Sequence, residues 1–254
     1  MLRGLFVAPF DVLADPGLIG GLAAEAEAAG WDALFVWDHL RYSAPVQAIA
    51  DPWICCAAIA MRTTRLRFGP MVTPLPRRRP QVLARQAVSL AQLSGGRLVL
   101  GFGIGDDWAG EFSGFGDEPG PRTRGRMLDE GLEVLTGLLS GEAVDHSGDH
   151  YTARDVRFLP VPAAPIPIWI AGRYPNRAPQ LRAARFDGYF PIQVESPEQA
   201  AALRREVPGD LVIDLLPGVD PAPWGAAGAD WVLTRVGPFD LDLDAVRALV
   251  SAGP

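Results

Sequence analysis

Short apolar runs alternate with helical stretches from one end of this chain to the other, and that rhythm limits its fold more tightly than any other feature. Runs at 4–8, 33–37, 66–72, 98–102, 166–171, 188–192, 211–215 and 231–234 are too short for helices. They are rich in branched and aromatic side chains, the pattern of buried strands. Segments with helical spacing lie between them. Residues 16–29 open on Pro16 and stop at Gly30, while 52–61 and 80–93 also open on proline. The stretch 122–139 is amphipathic and ends at Ser140-Gly141, and 243–250 closes the series. About eight strand–helix units predict an α/β fold, a compact single-domain (β/α)8 TIM barrel over residues 1–254. A doubly wound open sheet competes, because periodicity does not say whether a parallel sheet closes. Residues 143–165 break the rhythm as a short hairpin insertion, with its tip at 146–151 and a Pro-rich extended lead at 160–167.

A hydrophobic content of 48% can build one sizeable core. No apolar run approaches the ~20 residues of a membrane span, and the opening residues lack a signal-peptide pattern. The chain is therefore expected to be soluble and cytoplasmic, with no membrane partner. Cys55 and Cys56 are adjacent, too close for a disulfide framework, and fit the core of a helix. A net charge of −7 argues against nucleic acid as a partner. All 23 basic residues are arginine, which excludes Schiff-base lysine chemistry and a Walker-type phosphate loop.

Asp38-His39 ends the second strand run, where a barrel enzyme places ionisable groups, and can act in acid–base chemistry. The plainer reading is a strand-end Asp capping a turn beside a half-exposed His. The Gly-rich segment 98–105 leads into Asp106, Asp107, Trp108, Glu111 and Phe112; its glycines allow close backbone approach to a flat ligand or phosphate. It lacks the tight turn into a helix of a dinucleotide fingerprint. Residues 170–177 offer a Gly turn with Arg173 and Arg177, an anion site or an ordinary loop. Arg77, Arg78 and Arg79 read as solvated surface. His146 and His150 lack a third ligand for zinc, so no metal is expected.

Three stretches resemble the bacterial luciferase-like monooxygenase superfamily, flavin- and F420-dependent oxidoreductases on a TIM barrel. They are Glu27-Ala28-Ala29-Gly30-Trp31-Asp32 through Asp38-His39, Leu93-Ser94-Gly95-Gly96-Arg97 through Gly105, and Pro165 through Gly172 with Asp187-Gly188. Asp129-Glu130-Gly131-Leu132 resembles its fourth helix. The resemblance implies coenzyme F420 or FMN as cofactor, with a slight preference for F420. It places His39 beside the reactive ring as proton donor or acceptor, with Asp38 contacting the cofactor or positioning His39. Pro70, Met71, Val72 and Thr73 would form the bulge behind the ring, which often holds a non-prolyl cis peptide, with Thr73 bonding to the ring. Ile104 and Gly105 would meet the ribityl chain, Gly172 and Arg173 the phosphate, and the arginine triplet the acidic tail of F420. The chain is shorter than typical members after Asp187, where loops would cover the cofactor.

The expected activity is hydride transfer or monooxygenation of a small organic substrate, with a flavin or F420 reductase as a further partner and a homodimer among the expected states. An FMN monooxygenase fed by a separate reductase is the near alternative. A non-catalytic flavin- or F420-binding protein, or a barrel hydrolase or lyase using Asp38, His39 and Asp106, are alternatives of other classes.

Overall fold

The computed structural model describes residues 1–118 and 120–254. Its strands are β1 (Leu2–Val7), β2 (Ala33–Val36), β3 (Arg67–Pro70), β4 (Thr73–Pro74), β5 (Leu100–Gly103), β6 (Val144–Ser147), β7 (Thr152–Val156), β8 (Ile168–Arg173), β9 (Gly188–Ile192), β10 (Asp210–Leu215) and β11 (Trp231–Val236). Nine of these form one sheet in the order β3-β2-β1-β11-β10-β9-β8-β5-β4, with every pair parallel. β3 and β4 are two halves of one stave, interrupted at Met71-Val72. A bridge from Phe68 to Leu98, with the Val99 N–H donating to the Phe68 carbonyl at 2.8 Å, joins that stave to the lead into β5. The sheet thus closes as an eight-stave barrel, and the open doubly wound alternative is set aside.

The helices α1 (Pro16–Ala29), α2 (Pro52–Arg62), α3 (Pro80–Leu93), α4 (Pro121–Ser140), α5 (Arg177–Ala183), α6 (Pro197–Arg204), α7 (Ala222–Ala226) and α8 (Leu243–Ala252) follow successive staves around the outside. Their starts are written in the sequence. Asp15 accepts from the Leu18 N–H, Asp51 from Trp53 and Ile54, and Asp242 from Ala245. Gly30 and Gly141, both with positive φ, end α1 and α4. Alternate strand residues face opposite sides. Phe6, Phe35, Met71, Trp169, Phe190 and Trp231 therefore fill the barrel interior. Leu5, Val7, Leu34 and Val36 pack outward against the helices. Trp169 packs between Phe35 and Trp231, inclined to both rings, with ring centroids 5.3 and 5.5 Å away.

Two expectations need correction. The third apolar run is not continuous: the strand breaks at Met71–Val72, whose peptide is cis, in keeping with the non-prolyl cis bulge that the family resemblance implies at Pro70 to Thr73. β8 runs on to Arg173, because Gly172 and Arg173 pair with Pro191 and Ile192 of β9. The insertion is a real antiparallel hairpin of β6 and β7. Its tip is fixed to α4 by the Glu130 carboxylate, which accepts from the His150 and Tyr151 N–H groups and meets His146 Nε2 at 3.1 Å. That role explains His146 without a metal. No helix among the described residues is long and apolar enough to cross a membrane.

Candidate active site at the barrel mouth

The carboxyl ends of β2, β4 and β5 bring two carboxylates, two guanidinium groups, a hydroxyl and an imidazole into one buried network. Asp38 leaves β2 with its side chain wholly buried. Arg78 reaches its carboxylate at 2.8 and 3.0 Å, Arg77 at 2.9 Å, and the Thr73 hydroxyl donates to it at 2.8 Å. Arg77 also donates to Glu111 at 2.8 Å. Glu111 in turn accepts from the Leu40 N–H at 2.7 Å and meets His39 Nδ1 at 2.8 Å. The side chains of Arg77 and Glu111 are each only 3% exposed, whereas His39 is 22% exposed. The imidazole and the Arg78 guanidinium, 19% exposed, are the members of this set that open toward solvent.

The charges balance, two acids against two arginines, which is the condition for burying them at all. Burial alone would raise the Glu111 carboxyl. The His39 hydrogen bond and charge, the Arg77 guanidinium and the Leu40 N–H overcome this and hold it below the ordinary carboxylate range. Arg77 and Arg78 are thus not the solvated surface their sequence pattern implies. Pro74, Pro76 and Pro80 stiffen the segment that turns them inward, and only Arg79 of the triplet is exposed. Glu111 had no assigned role in the sequence reading. The usable signal was a carboxylate in the loop after β5, the stave beside β4, available to a lone imidazole.

The Gly-rich β5 serves the broken stave beside it. A Cβ at Gly69 would overlap the Val99 carbonyl, and one at Gly101 would overlap the Met71 sulfur. Gly103 lies so close to Val72 that a Cβ would sit 3.0 Å from its Cγ1. Met71 fills the interior, Pro70 is buried, Val72 is half-buried, and Thr73 is fully buried with its proton committed to Asp38. Ile104 and Gly105 follow at the mouth. Gly105 has φ +71° and packs so closely on Pro74 and Phe112 that a side chain is excluded.

Across the mouth, Arg173 is exposed and pairs with Asp106 at 2.5 Å. Gly172 backs onto Pro179 of α5, so its missing side chain makes room for that helix. Cys55 and Cys56 are core residues, and burial raises the Cys55 thiol to about 12. A cleft of about 600 Å³ between α4 and α5, lined by Glu133, Ile168 and Asp187, opens at the start of β8, away from this network.

Aromatic side chains wall the rest of the opening. Tyr42 sits 5.0 Å from His39, 4.8 Å from Trp108 and 5.8 Å from Phe239, ring centroid to centroid. Trp37 packs 5.2 Å from Phe6 and 5.9 Å from His39, and its buried indole N–H has no hydrogen-bond partner among the described residues. An unpartnered donor and a half-open imidazole between aromatic faces fit a planar, hydrogen-bonding heterocycle.

A closed parallel barrel with ionisable groups at the carboxyl ends of its strands defines the TIM-barrel class. Within that class the chain belongs to the luciferase-like monooxygenase family, whose model matches residues 11–208. A F420-dependent glucose-6-phosphate dehydrogenase of Beutenbergia cavernae is 33% identical over 187 residues, covering 72% of this chain and 52% of that protein. An uncharacterized protein of Mycobacterium tuberculosis is 33% identical over 66% of this chain and 63% of its own length. The chain therefore spans between about half and two thirds of the length of these curated relatives. Among solved structures, a F420-dependent secondary alcohol dehydrogenase superposes with a TM-score of 0.81 at 18% identity, covering 98% of this chain and 97% of that one. The oxygenating component of 3,6-diketocamphane monooxygenase from Pseudomonas putida, bound to FMN, gives 0.70 at 20% identity over 87% and 68%. At these identities the two structures speak for the fold.

Proposed function

We propose that this protein is an oxidoreductase that binds coenzyme F420 or FMN across the barrel mouth and acts on a small organic substrate. The observation that carries the reading is the pairing of His39 with buried, ionised Glu111 at the end of β2. A bound deazaflavin or flavin supplies the hydride or reduced-ring chemistry. The chain supplies orientation and a proton.

With Glu111 ionised and Arg77 holding it in place, the proton between Glu111 and His39 stays on Nδ1. Nε2, which has no hydrogen-bond partner among the described residues, is then the atom that takes a proton from the substrate or gives one to it. Asp38 and Thr73 act as positioning residues in this reading. The Asp38 carboxylate is saturated by Arg77, Arg78 and Thr73, so it anchors the start of the loop that carries His39 and does not itself exchange a proton. Pro70, Met71 and Val72 would back the ring, with Ile104 and Gly105 along the side chain of the cofactor. Arg173 would reach its phosphate by exchanging Asp106 for the ligand.

The F420-dependent name of the 33%-identical Beutenbergia cavernae relative favours F420 over FMN. The acidic-tail role of the arginine triplet now falls to Arg79 alone, since Arg77 and Arg78 are occupied. An anaerobic absorbance titration with each cofactor tests the proposal. Binding of F420 more tightly than FMN is the expected result, and binding of neither overturns it. Tighter FMN binding, with turnover only when a flavin reductase is added, would establish the monooxygenase alternative. A soluble, cofactor-loaded protein on which His39→Ala has no activity to remove would establish the non-catalytic one.

A further inference from the structure

A second charged pair lies inside the mouth, on the side of the barrel opposite Thr73 and Glu111. Interior positions alternate along β10 and β11. Val212, Trp231 and Leu233 belong to the interior cluster, so Asp214 and Arg235 face inward as well. Arg235 is level with Phe6 of β1, and Phe6 with Phe35 of β2, which places the guanidinium two staves from the strand that ends at Asp38-His39. Its Nε lies 3.1 Å from Asp214 Oδ2, an ion-pair contact without hydrogen-bond geometry. Both terminal nitrogens are without a hydrogen bond from the described residues, and the side chain is 36% exposed. The Asp214 carboxyl, 13% exposed, is raised by burial despite Arg235, so it is a weak anchor for the arginine's charge. The positive charge of Arg235 is felt at the Tyr42 hydroxyl, which ties the pair to the aromatic wall of Tyr42, Trp108 and Phe239. Asp214 and Arg235 lie beyond residues 11–208, where the family model matches, and are features of this chain's own final third.

We propose that Arg235, beside Asp214, is a specificity-determining residue that binds an oxyanion, carboxylate or phosphate, on a substrate whose flat apolar body lies against Tyr42, Trp108 and Phe239. The inference rests on the barrel mouth being the substrate site, as proposed above. A planar fork with two free N–H edges suits a carboxylate or phosphate. An aromatic wall that is only half covered offers a face for a ring. Arg77 and Arg78 are committed to Asp38 and Glu111, and Arg173, at the rim, differs in having its guanidinium bonded to Asp106 and in being more exposed. The division is between an arginine available to the substrate and those already spoken for.

The test is a calorimetric titration with benzoate, phenyl phosphate, inorganic phosphate and the neutral isostere benzamide. It is run on the cofactor-loaded protein and on the cofactor-free protein. Failure of both cofactors to load therefore overturns the functional proposal while this measurement still stands. The expected result is benzoate and phenyl phosphate binding at least tenfold more tightly than benzamide, and phenyl phosphate more tightly than inorganic phosphate. Arg235→Met should abolish the anion preference, and Arg235→Lys should restore only part of it, with cofactor affinity unchanged in both. Equal affinity for benzoate and benzamide, or a preference that survives in Arg235→Met, overturns the proposal. So does a melting temperature lowered by Arg235→Met with ligand preference intact, which would leave Arg235 a structural partner of Asp214 only. If Arg235→Met fails to fold, Asp214→Asn decides. It keeps the arginine and frees it further, so anion affinity should hold or rise, and a loss counts against the proposal.

Discussion

Glu111 is the side chain whose removal should separate chemistry from binding. In Glu111→Gln the amide still offers an oxygen to His39, but the charge that keeps the proton on Nδ1 is gone and Arg77 loses one of its two acids. Turnover should fall on the order of 100-fold while cofactor affinity, read by absorbance, stays within a few-fold of wild type. The same substitution should cost about 3 kcal/mol of stability at neutral pH, because it leaves buried charge uncompensated. The Glu111 carboxyl is lowered in the folded protein, so its contribution is fully present above the ordinary carboxylate range. It is lost as pH falls through the lowered value. Melting curves of the two proteins should therefore converge only in acid, and a gap independent of pH would contradict this account. At this scale the sequence was a partial guide. Asp38-His39 stood out because charged groups ended an apolar run. The burial of Arg77 and Arg78 did not, because a basic triplet between prolines looks alike whether it faces water or a carboxylate 40 residues away in the chain. Thr73, expected to bond to a ring, is wholly buried behind Asp38, a contact that no local pattern encodes.

Between elements, small polar clamps set the spacing of helices and staves. Arg97, from the Leu93-Ser94-Gly95-Gly96-Arg97 stretch used to recognise the family, touches no part of the mouth network. Its guanidinium donates to the Ala60, Thr63, Leu66 and Ser94 carbonyls and to the Thr63 hydroxyl, at 2.6 to 2.9 Å. It thus closes the C-terminus of α2 onto the end of α3. Arg97→Met should destabilise the fold by about 3 kcal/mol, measured by urea unfolding, and Arg97→Lys should recover little, since an ammonium cannot span five acceptors. A loss under 1 kcal/mol for Arg97→Met would refute that role. A second clamp recurs at the opposite end of the barrel from the mouth. Asp32, Asp187 and Asp230 each stand just before a strand and accept the N–H of Arg3, Ile168 and Leu211, respectively, on the stave beside it. Element limits were largely legible, α1 and α3 to the residue, because proline, aspartate and glycine mark helix ends by local chemistry. The break in the third stave was legible only through the family resemblance, which implies a bulge at Pro70 to Thr73, because nothing in the local pattern of the run 66–72 marks it.

For the whole molecule, closure depends on how near two staves approach at Gly69. Gly69→Ala sets a methyl group against the Val99 backbone carbonyl, which cannot rotate away. It should cost about 3 kcal/mol or more and leave much of the protein insoluble, whereas Gly21→Ala, on the open face of α1, should be neutral or stabilising. Expression yield and thermal melting of the two variants check the contrast. That the sheet closes was readable from the number of alternations, but which loops meet over the opening was not, since stave order brings together residues far apart in sequence. The proton-handling network is drawn from residues 38–111 alone, on adjacent staves, while Asp214, Arg235 and Phe239 come from the last part of the chain. Inheritance can therefore act on the two stretches separately. A lineage could exchange the final stretch and acquire new substrates without rebuilding the buried ion network, and a laboratory graft of the same stretch would follow the seam that the barrel already has.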